Sequence, residues 1–166
     1  KIFKRINFES LLDDEIQSFH SLLTTKNIRM ELKKSEDFEG HVDGDEFLLR
    51  MAVRNLLDNA IDFSFENVAL RVCLESSQSD IELRVINQGG VIPDYALPRL
   101  FERFFSTPRP STGRKSSGLG LCLVNEIAHL HGGEVSLKNT LIPSNNNHLD
   151  SAVEAILIIA KEAKQP

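Results

Sequence analysis

The amino-acid sequence predicts an α+β fold, a two-layer α/β sandwich in which about three helices cover one face of a mixed, mostly antiparallel sheet. Apolar residues recur at helical spacing in segments 9–25 and 45–61. Segments 28–32, 68–74 and 81–85 alternate apolar with polar residues, and segments 134–138 and 152–159 also have strand character. A length of 166 residues with 41% hydrophobic content fits one domain with a sizeable core. We therefore expect residues 1–166 to form a single domain.

Net charge argues against nucleic acid as a partner. The formal charge is −5, whereas a surface that binds the phosphate backbone is basic. A local excess of basic residues nevertheless occurs at Arg99, Arg103, Arg109, Arg114 and Lys115. This cluster indicates either a confined anionic ligand or a solvated loop, and composition alone favours the loop.

The cysteines and the longest apolar runs exclude other classes of protein. Cys73 and Cys122 each lie in an apolar run without metal-ligand spacing, so both are predicted to be small buried hydrophobic residues. No apolar stretch approaches the ~20 residues that span a bilayer. We expect a cytoplasmic fragment of a longer protein, without membrane insertion of its own, and residues 1–8 as the remnant of a linker.

The first half of the chain is predicted to hold two helices and four strands. Segment 9–25 is a helix with Ser10 as a possible N-cap, and segment 28–32 is a strand. Segment 38–42 is a possible short strand, and residues 43–45 begin the strong helix that runs to Ile61. Segments 68–74 and 81–85 form an antiparallel hairpin around the polar residues 76–80.

The second half contains a long, weakly structured segment. Residues 87–115 include four of the six prolines, and such segments in compact domains are usually functional, often as lids. A helix is predicted to begin near Ser116 or Ser117, to run to His131 and to end at Gly132 and Gly133. A strand at 134–138, a polar loop at 143–150 and a last strand at 152–159 complete the fold.

Asn55 and Asn59 lie one turn apart on the same face of the strong helix. Asparagine is disfavoured inside helices because its amide competes for backbone hydrogen bonds. Amide oxygens can ligate a hard cation such as Mg²⁺, whose other ligands are often substrate phosphates. A polar helix face without a ligand is an equally good interpretation of this pair alone.

Two glycine-rich segments are candidates for close contact with a ligand. Residues 87–92, Asn-Gln-Gly-Gly-Val-Ile, follow a strand and permit a tight turn. Residues 115–121, Lys-Ser-Ser-Gly-Leu-Gly-Leu, open a helix whose free N–H groups and dipole attract anions. A surface turn and a ligand-free helix entry are the alternatives, but the neighbouring basic residues favour phosphate.

Taken in order, these features resemble the N, G1 and G2 boxes of the Bergerat-fold family of gyrase, the Hsp90 chaperones, histidine kinases and mismatch-repair ATPases. Residues 55–61 match the N box, and residues 118–121 match the G2 box. Residues 101–105, Phe-Glu-Arg-Phe-Phe, resemble the F box of histidine kinases, and residues 131–135 resemble the segment that follows G2. The resemblance covers residues 26–160 and implies the catalytic, ATP-binding domain of a sensor histidine kinase.

The resemblance also implies roles for individual residues. Asn55 and Asn59 would hold Mg²⁺ and the phosphates of ATP, and Asn55 and Arg103 would act in catalysis. Residues 93–117 would form the ATP lid. The expected ATP-binding residues are Asn55, Asn59, Asp62, Phe63, Asn87, Gly89, Val91, Ile92, Arg103, Lys115, Ser116, Ser117, Gly118, Leu119, Gly120 and Leu121.

The G1 box departs from the family pattern Asp-x-Gly-x-Gly. Asn87 replaces the aspartate that contacts the adenine amino group, and Val91 replaces the last glycine. An asparagine amide can accept from the amino group of adenine and donate to a ring nitrogen. Losing a charged hydrogen bond costs ~1–3 kcal/mol, about ten- to a hundredfold in affinity. We hypothesise weak but adenine-selective binding.

Two further departures concern the strong helix. Met51 stands where the family usually carries Gln or Glu, and a thioether cannot accept a proton, so we expect negligible ATP hydrolysis. Asp62 replaces a common lysine and removes one phosphate-neutralising charge, whereas Phe63 keeps the hydrophobic character of an aromatic neighbour.

None of the five histidines precedes an acidic residue, as the phosphorylated histidine of the family does. His131 is interpreted as a helix-end residue that the helix dipole favours when protonated. The acceptor is expected on missing dimerisation helices of the same kinase, on which Phe101, Phe104 and Phe105 would dock unless they anchor the lid. The response regulator would be reached through a full-length protein in the bacterial inner membrane.

Three alternatives stay open at this point. The damaged G1 box allows a degenerate nucleotide-sensing or regulatory module of the same fold. An anti-sigma-factor serine kinase shares the ATP fold, although the F box weighs against it. A gyrase-like or chaperone ATPase is disfavoured by Met51 and by the short lid.

Overall fold

The fold is a helical layer on a five-stranded mixed sheet, with a separate two-stranded sheet beside it. The computed structural model describes residues 2–107, 120–144 and 146–163. Its helices are α1 (Phe8–Ser18), α2 (His20–Thr25), α3 (Glu46–Phe63) and α4 (Gly120–Leu130), with a 3-10 helix at Leu97–Arg99. Its strands are β1 (Lys4–Asn7), β2 (Arg29–Lys34), β3 (His41–Gly44), β4 (Ala69–Ser76), β5 (Asp80–Gln88), β6 (Glu134–Pro143) and β7 (Leu149–Ala160).

The large sheet has the strand order β2-β4-β5-β7-β6. Only the β2–β4 pair is parallel, and the pairs β4–β5, β5–β7 and β6–β7 are antiparallel. The mixed, mostly antiparallel sheet predicted from the sequence is therefore confirmed, as is the hairpin between β4 and β5.

The core lies between this sheet and the helices. Among the helices, α3 contributes the most residues to this core, because its apolar stripe is almost fully buried. Burying each large side chain stabilises the fold by roughly 1.5–3 kcal/mol. Helices α1 and α4 both pack against α3. The buried residues of α3 are Leu49, Ala52, Val53, Leu56, Leu57, Ala60 and Ile61.

The first predicted helix is two helices, and its predicted cap is wrong. Asn7 caps α1, and its Oδ1 accepts a hydrogen bond from the backbone N–H of Ser10 at 3.1 Å. Ser10 therefore donates to the cap instead of forming it. The chain leaves helical geometry at Phe19, with φ −95° and ψ 4°, and the N–H of Phe19 turns back to the carbonyl of Ile16.

Strand β1 is the main element that sequence periodicity does not reveal. It pairs antiparallel with β3, so part of the segment expected to be a linker remnant belongs to a sheet. Strand β3 also begins at His41 instead of residue 38. Strands β6 and β7 extend beyond their predicted bounds, because they pair with each other from Glu134↔Ile158 to Pro143↔Leu149.

The predicted burial of both cysteines is wrong, because each is only half-buried. Cys73 alternates with the buried Val72 and Leu74, so it lies on the sheet face away from the helices. The Sγ of Cys122 lies 3.9 Å from Glu126 Oε1 on α4. In the parts of the chain that the structure describes, no helix is long and apolar enough to span a bilayer.

Candidate nucleotide-binding site

Asn55 points its amide oxygen toward the beginning of α4. Its Nδ2 donates to the carbonyl of Met51, one turn earlier, at 2.8 Å. Its Oδ1 lies 3.0 Å from the position that a Cβ on Gly120 would occupy. Because α3 packs on α4, the N box and the last part of the G2 box come together, and Gly120 leaves room for the amide.

The other candidates on α3 lie close behind Asn55. Asn59 follows one helical turn later and is half-buried, which places it on the same face. Asp62 and Phe63 form the last turn of α3 and are also half-buried. The structure thus brings all four predicted α3 residues to one end and side of the helix.

The end of α3 is joined to the end of β5. Ser64 forms a bridge with Gly89, and the N–H of Phe65 donates to the carbonyl of Gln88 at 3.0 Å. A Cβ on Gly89 would lie only 2.2 Å from the carbonyl oxygen of Phe63, so this position requires glycine. Gly90 has open space around it, so a side chain at this position would meet no steric conflict.

Asn87 lies on the helix-facing side of the sheet and is 4% exposed. Its Nδ2 is buried and has no hydrogen-bond partner among the described residues. The burial of Asn87 can be read from the sequence, because it occupies the inward-facing position that follows Ile81, Leu83 and Val85 along the strand. A buried polar group without a partner costs ~1–3 kcal/mol, so such groups call for an explanation.

Val91 and Ile92, the other predicted G1 residues, lie at the edge of the site. Val91 is 62% exposed, so the side chain that replaces the last G1 glycine lies largely in solvent. The backbone of Ile92 is held by Asn139 of β6, whose Oδ1 accepts from Ile92 N–H at 2.8 Å and whose Nδ2 donates to Ile92 O at 2.9 Å.

The sequence interpretation did not include Asn139, although a signal for it exists. Asn139 follows Val135 and Leu137 in an alternating strand and breaks their apolar pattern. Asn139 is the cross-strand partner of Val153 on β7, and Val153 is the cross-strand partner of Asn87 on β5. The three residues therefore lie in one row across the sheet.

Arg103 is bound to α4. Its Nη2 donates to Glu126 Oε1 at 3.0 Å, and this hydrogen bond raises the pKa of the guanidinium above its usual value. Both side chains are largely exposed. In this arrangement the charge of Arg103 faces a carboxylate, which the sequence did not suggest.

The three phenylalanines of the F box have different surroundings. Phe101 packs against the core, whereas Phe104 has φ +63° and is 75% exposed. Phe105 lies under the guanidinium of Arg99, with 4.5 Å between the guanidinium carbon and the ring centre. Phe101 therefore anchors the segment, and Phe104 presents its ring to solvent.

The predicted phosphate loop is described only from Gly120 onward. Gly120 and Leu121 open α4, and Leu121 packs against the core. The predicted beginning of the helix near residues 116–117 lies outside the described residues. The same holds for the predicted site residues Lys115, Ser116, Ser117, Gly118 and Leu119.

His131 lies at the end of α4, as the sequence suggested, but its surroundings disfavour the protonated form. It is 4% exposed, and burial lowers the pKa of its imidazole. Its Nδ1 donates to the carbonyl of Ile127 at 2.7 Å, and its ring stacks on Phe3 with 5.0 Å between ring centres. As predicted, α4 ends at the following glycines, where Gly132 has φ +69°.

The arrangement offers groups that could bind an anion, a base and a cation. The amide oxygen of Asn55 faces the N-terminus of α4, where anions are favoured. The side-chain amide of Asn87, whose Nδ2 has no partner among the described residues, can form hydrogen bonds to a base. In the described residues, no cluster of three His, Cys, Asp or Glu side chains could hold a metal by itself. A cation here would therefore depend on amide oxygens, water and phosphate.

A family model described as "Histidine kinase-, DNA gyrase B-, and HSP90-like ATPase" matches residues 44–155. The chain belongs to this family. The resemblance seen in the N and G2 boxes is thereby confirmed, and family membership implies an ATP-binding domain.

Curated proteins similar to this chain include sensor proteins and sensor kinases. Sensor protein CreC of Escherichia coli K12 is 50% identical over 101 residues, which are 61% of this chain and 21% of CreC. Residues 55–63, 92–97 and 115–121 are the segments whose sequence most suggests the likeness to CreC. Heme sensor protein HssS of Staphylococcus haemolyticus is 33% identical over 132 residues, which are 80% of this chain and 28% of HssS. The matched region thus spans only 21% of CreC and 28% of HssS.

Solved structures confirm the fold class. The nucleotide-free catalytic domain of histidine kinase ThkA has a TM-score of 0.80 and 26% identity, with 98% of this chain and 99% of that chain covered. The mycobacterial sensor histidine kinase MprB has a TM-score of 0.74 at 24% identity, which supports the fold alone. The chain is a catalytic domain of the sensor-histidine-kinase type, as the sequence predicted.

Proposed function

We propose that this chain binds Mg-ATP and presents the γ-phosphate to a histidine on a separate dimerisation domain of the same kinase. The observation that carries the proposal is the position of Asn55. Its Nδ2 is fixed on Met51, and its Oδ1 is directed to Gly120 at the first residue of α4. A hard-cation ligand therefore stands opposite a helix N-terminus that favours phosphate.

Each part of the site has a task in this proposal. Asn55 and Asn59 ligate the cation, and the amides of residues 116–121 with Lys115 bind phosphate. Asn87 and Gly89 form the base subsite, with Asp62, Phe63, Val91 and Ile92 around it. When bound, Mg-ATP supplies the transferable phosphoryl group, whose reaction needs mainly positioning and charge compensation.

Arg103 supplies charge compensation only if it leaves Glu126. The ion pair is exposed, so solvent screens it and it contributes little to stability. Exchange of Glu126 for a phosphate oxygen is therefore energetically accessible. Residues 93–117 act as the lid that carries Arg103 and Lys115 in this proposal.

Calorimetric titration tests the binding part. Wild-type protein is titrated with ATP in the presence and absence of Mg²⁺, alongside Asn55→Ala. Loss of a ligand to a charged group is expected to weaken Mg-ATP by about ten- to a hundredfold. Asn146→Ala, in the exposed β6–β7 loop, is the matched control and is expected to bind like wild type. Equal affinity in Asn55→Ala would refute the assigned role.

Phosphotransfer separates a catalytic domain from a regulatory module of the same fold. The domain is mixed with labelled ATP and with the histidine-bearing region of its full-length kinase. We expect label on that region and none on this chain alone. Nucleotide binding without transfer would favour the regulatory alternative, for which the family and its sensor-kinase relatives give no support.

The remaining partners are proposed from the relatives. Histidine kinase ThkA is known in complex with the response regulator protein TrrA. We expect this chain to reach a response regulator through the full-length protein, in the bacterial inner membrane, with the domain itself in the cytoplasm. Nucleic acid is not expected to bind.

A further inference from the structure

Two asparagines in one row of the sheet differ in how freely their side-chain amides can rotate. Asn87 and Asn139 lie on either side of Val153, on the helix-facing side of the sheet. Both amide atoms of Asn139 are bonded to the backbone of Ile92, so rotating that amide would break two hydrogen bonds. The Nδ2 of Asn87 has no partner among the described residues, so rotating its amide breaks no bond of that atom.

Gly89 keeps a side chain away from this amide. A Cβ at residue 89 would stand 3.1 Å from Asn87 Nδ2, within tight contact. The glycine thus adds no side chain that could take up the hydrogen bond of this amide or pack over it, although the amide is enclosed in the structure. A buried donor without a partner calls for an explanation, and a hydrogen-bond partner supplied by a ligand is one.

The chemistry of an amide differs from that of the aspartate in the family pattern. A carboxylate only accepts hydrogen bonds, whereas an amide carries an acceptor and a donor side by side. Adenine presents an amino donor next to the N1 acceptor. A 6-oxopurine, the base of inosine or guanosine, presents a carbonyl acceptor next to the N1–H donor. A half-turn of the amide therefore matches it to either edge.

We propose that Asn87 makes the base subsite of this domain accept 6-oxopurine nucleoside triphosphates as well as ATP. The proposal rests on the proposed nucleotide-binding function. It predicts the opposite of the adenine selectivity hypothesised from the sequence, because the structure leaves the amide of Asn87 unfixed. Asn87 is then the residue that sets base specificity.

Calorimetry with ATP, ITP and GTP tests the proposal. ITP isolates the readout of the 6-position because it lacks the 2-amino group of GTP. For the wild type we expect dissociation constants of ATP and ITP within about tenfold of each other. In Asn87→Asp, ATP is expected to tighten and ITP to weaken, each by about ten- to a hundredfold, because a carboxylate cannot donate to the carbonyl.

Asn7→Asp is the matched control, since aspartate caps a helix as well as asparagine does and the position is exposed. It is expected to leave the ATP-to-ITP ratio unchanged. ATP binding without detectable ITP binding would overturn the proposal and leave the proposed function standing. Absence of binding by every nucleotide would overturn both. The wild-type ratio decides the proposal even if Asn87→Asp does not fold.

Discussion

His131 Nε2 accepts a hydrogen bond from the backbone N–H of Asp45 at 3.1 Å. Asp45 is the N-cap of α3, and His131 follows the end of α4, so the imidazole joins the helix that carries Asn55 to the helix that begins at Gly120. Because Nδ1 carries the proton and donates to the carbonyl of Ile127, Nε2 is the one acceptor of the neutral ring, and it accepts from Asp45. Only the neutral form satisfies both contacts.

The stability of the domain is therefore expected to fall at acidic pH through His131. Burial lowers its pKa, so the folded state binds this proton less readily than the unfolded state. The stabilisation is present above the ordinary histidine value of about 6.5 and is lost as the pH falls through the lowered pKa. Urea unfolding at pH 7.5 and 5.5 measures the change.

The comparison for this prediction is His131→Gln, in which the loss of stability between the two pH values should be smaller. His148→Gln replaces an exposed histidine and should keep the full wild-type pH dependence. An identical pH dependence in His131→Gln and wild type would contradict the assignment.

Gly89 and Gly90 provide a second test, with a built-in control. Gly89→Ala places a Cβ 2.2 Å from the carbonyl oxygen of Phe63, so the backbone joining α3 to β5 has to move. We expect a loss of ~1–3 kcal/mol in the free energy of unfolding and weaker ATP binding. Gly90→Ala meets no neighbour within 4 Å and should change stability by less than about 0.5 kcal/mol. Similar effects of the two variants would show that the close approach at Gly89 is unimportant.

Glu15 and Arg54 should respond unequally to substitution. Glu15 is 3% exposed, and its oxygens receive the Nε and Nη2 of Arg54 at 3.0 and 3.3 Å. Removing the arginine leaves a buried carboxylate with Arg50 at 3.6 Å, whereas removing the carboxylate leaves an arginine that water can solvate.

Arg54→Met is accordingly expected to cost about 1–2 kcal/mol in the free energy of unfolding, and Glu15→Leu less than about 1 kcal/mol. Urea unfolding of both variants at pH 7.5 gives the two values. An equal or larger cost for Glu15→Leu would mean that the carboxylate stabilises the α1–α3 contact by more than its pairing with arginine.

ATP hydrolysis by the isolated domain should be negligible. Met51 packs against the core and cannot accept a proton from water, and its carbonyl serves to hold Asn55. Phosphate release from purified protein with Mg-ATP is expected to equal the protein-free blank. A clear steady-state rate that disappears in Asn55→Ala would show that another group activates water.

The residues on regular elements could be predicted from the sequence because periodicity fixes which way they face. The inward alternation of β5 places Asn87 among the core positions, and the spacing of four places Asn55 and Asn59 on one face. Contacts between distant segments could not be predicted in this way. The bond between His131 and Asp45 joins residues 86 positions apart, and nothing in the local pattern of either residue indicates it.

Strand β1 escaped prediction for a related physical reason. It is four residues long and only Ile6 is buried, so no alternating pattern is available. Its existence depends on pairing with β3, which lies more than thirty residues further along the chain. Arg103 is similar, because its contact with Glu126 depends on how residues 93–107 lie across α4.

The two hydrogen bonds between Asn139 and Ile92 mean that the backbone just after β5 is organised before any ligand arrives. Together with the bond from Ser151 Oγ to Gly89 O at 2.9 Å, they hold residues 87–92 against β6 and β7. A ligand at Asn87 therefore meets a backbone whose conformational entropy has already been lost during folding. The entropy cost of ordering residues 87–92 is therefore not part of the free energy of nucleotide capture, so loosening them by Asn139→Ala should shorten the time a nucleotide stays bound more than it changes which base is accepted.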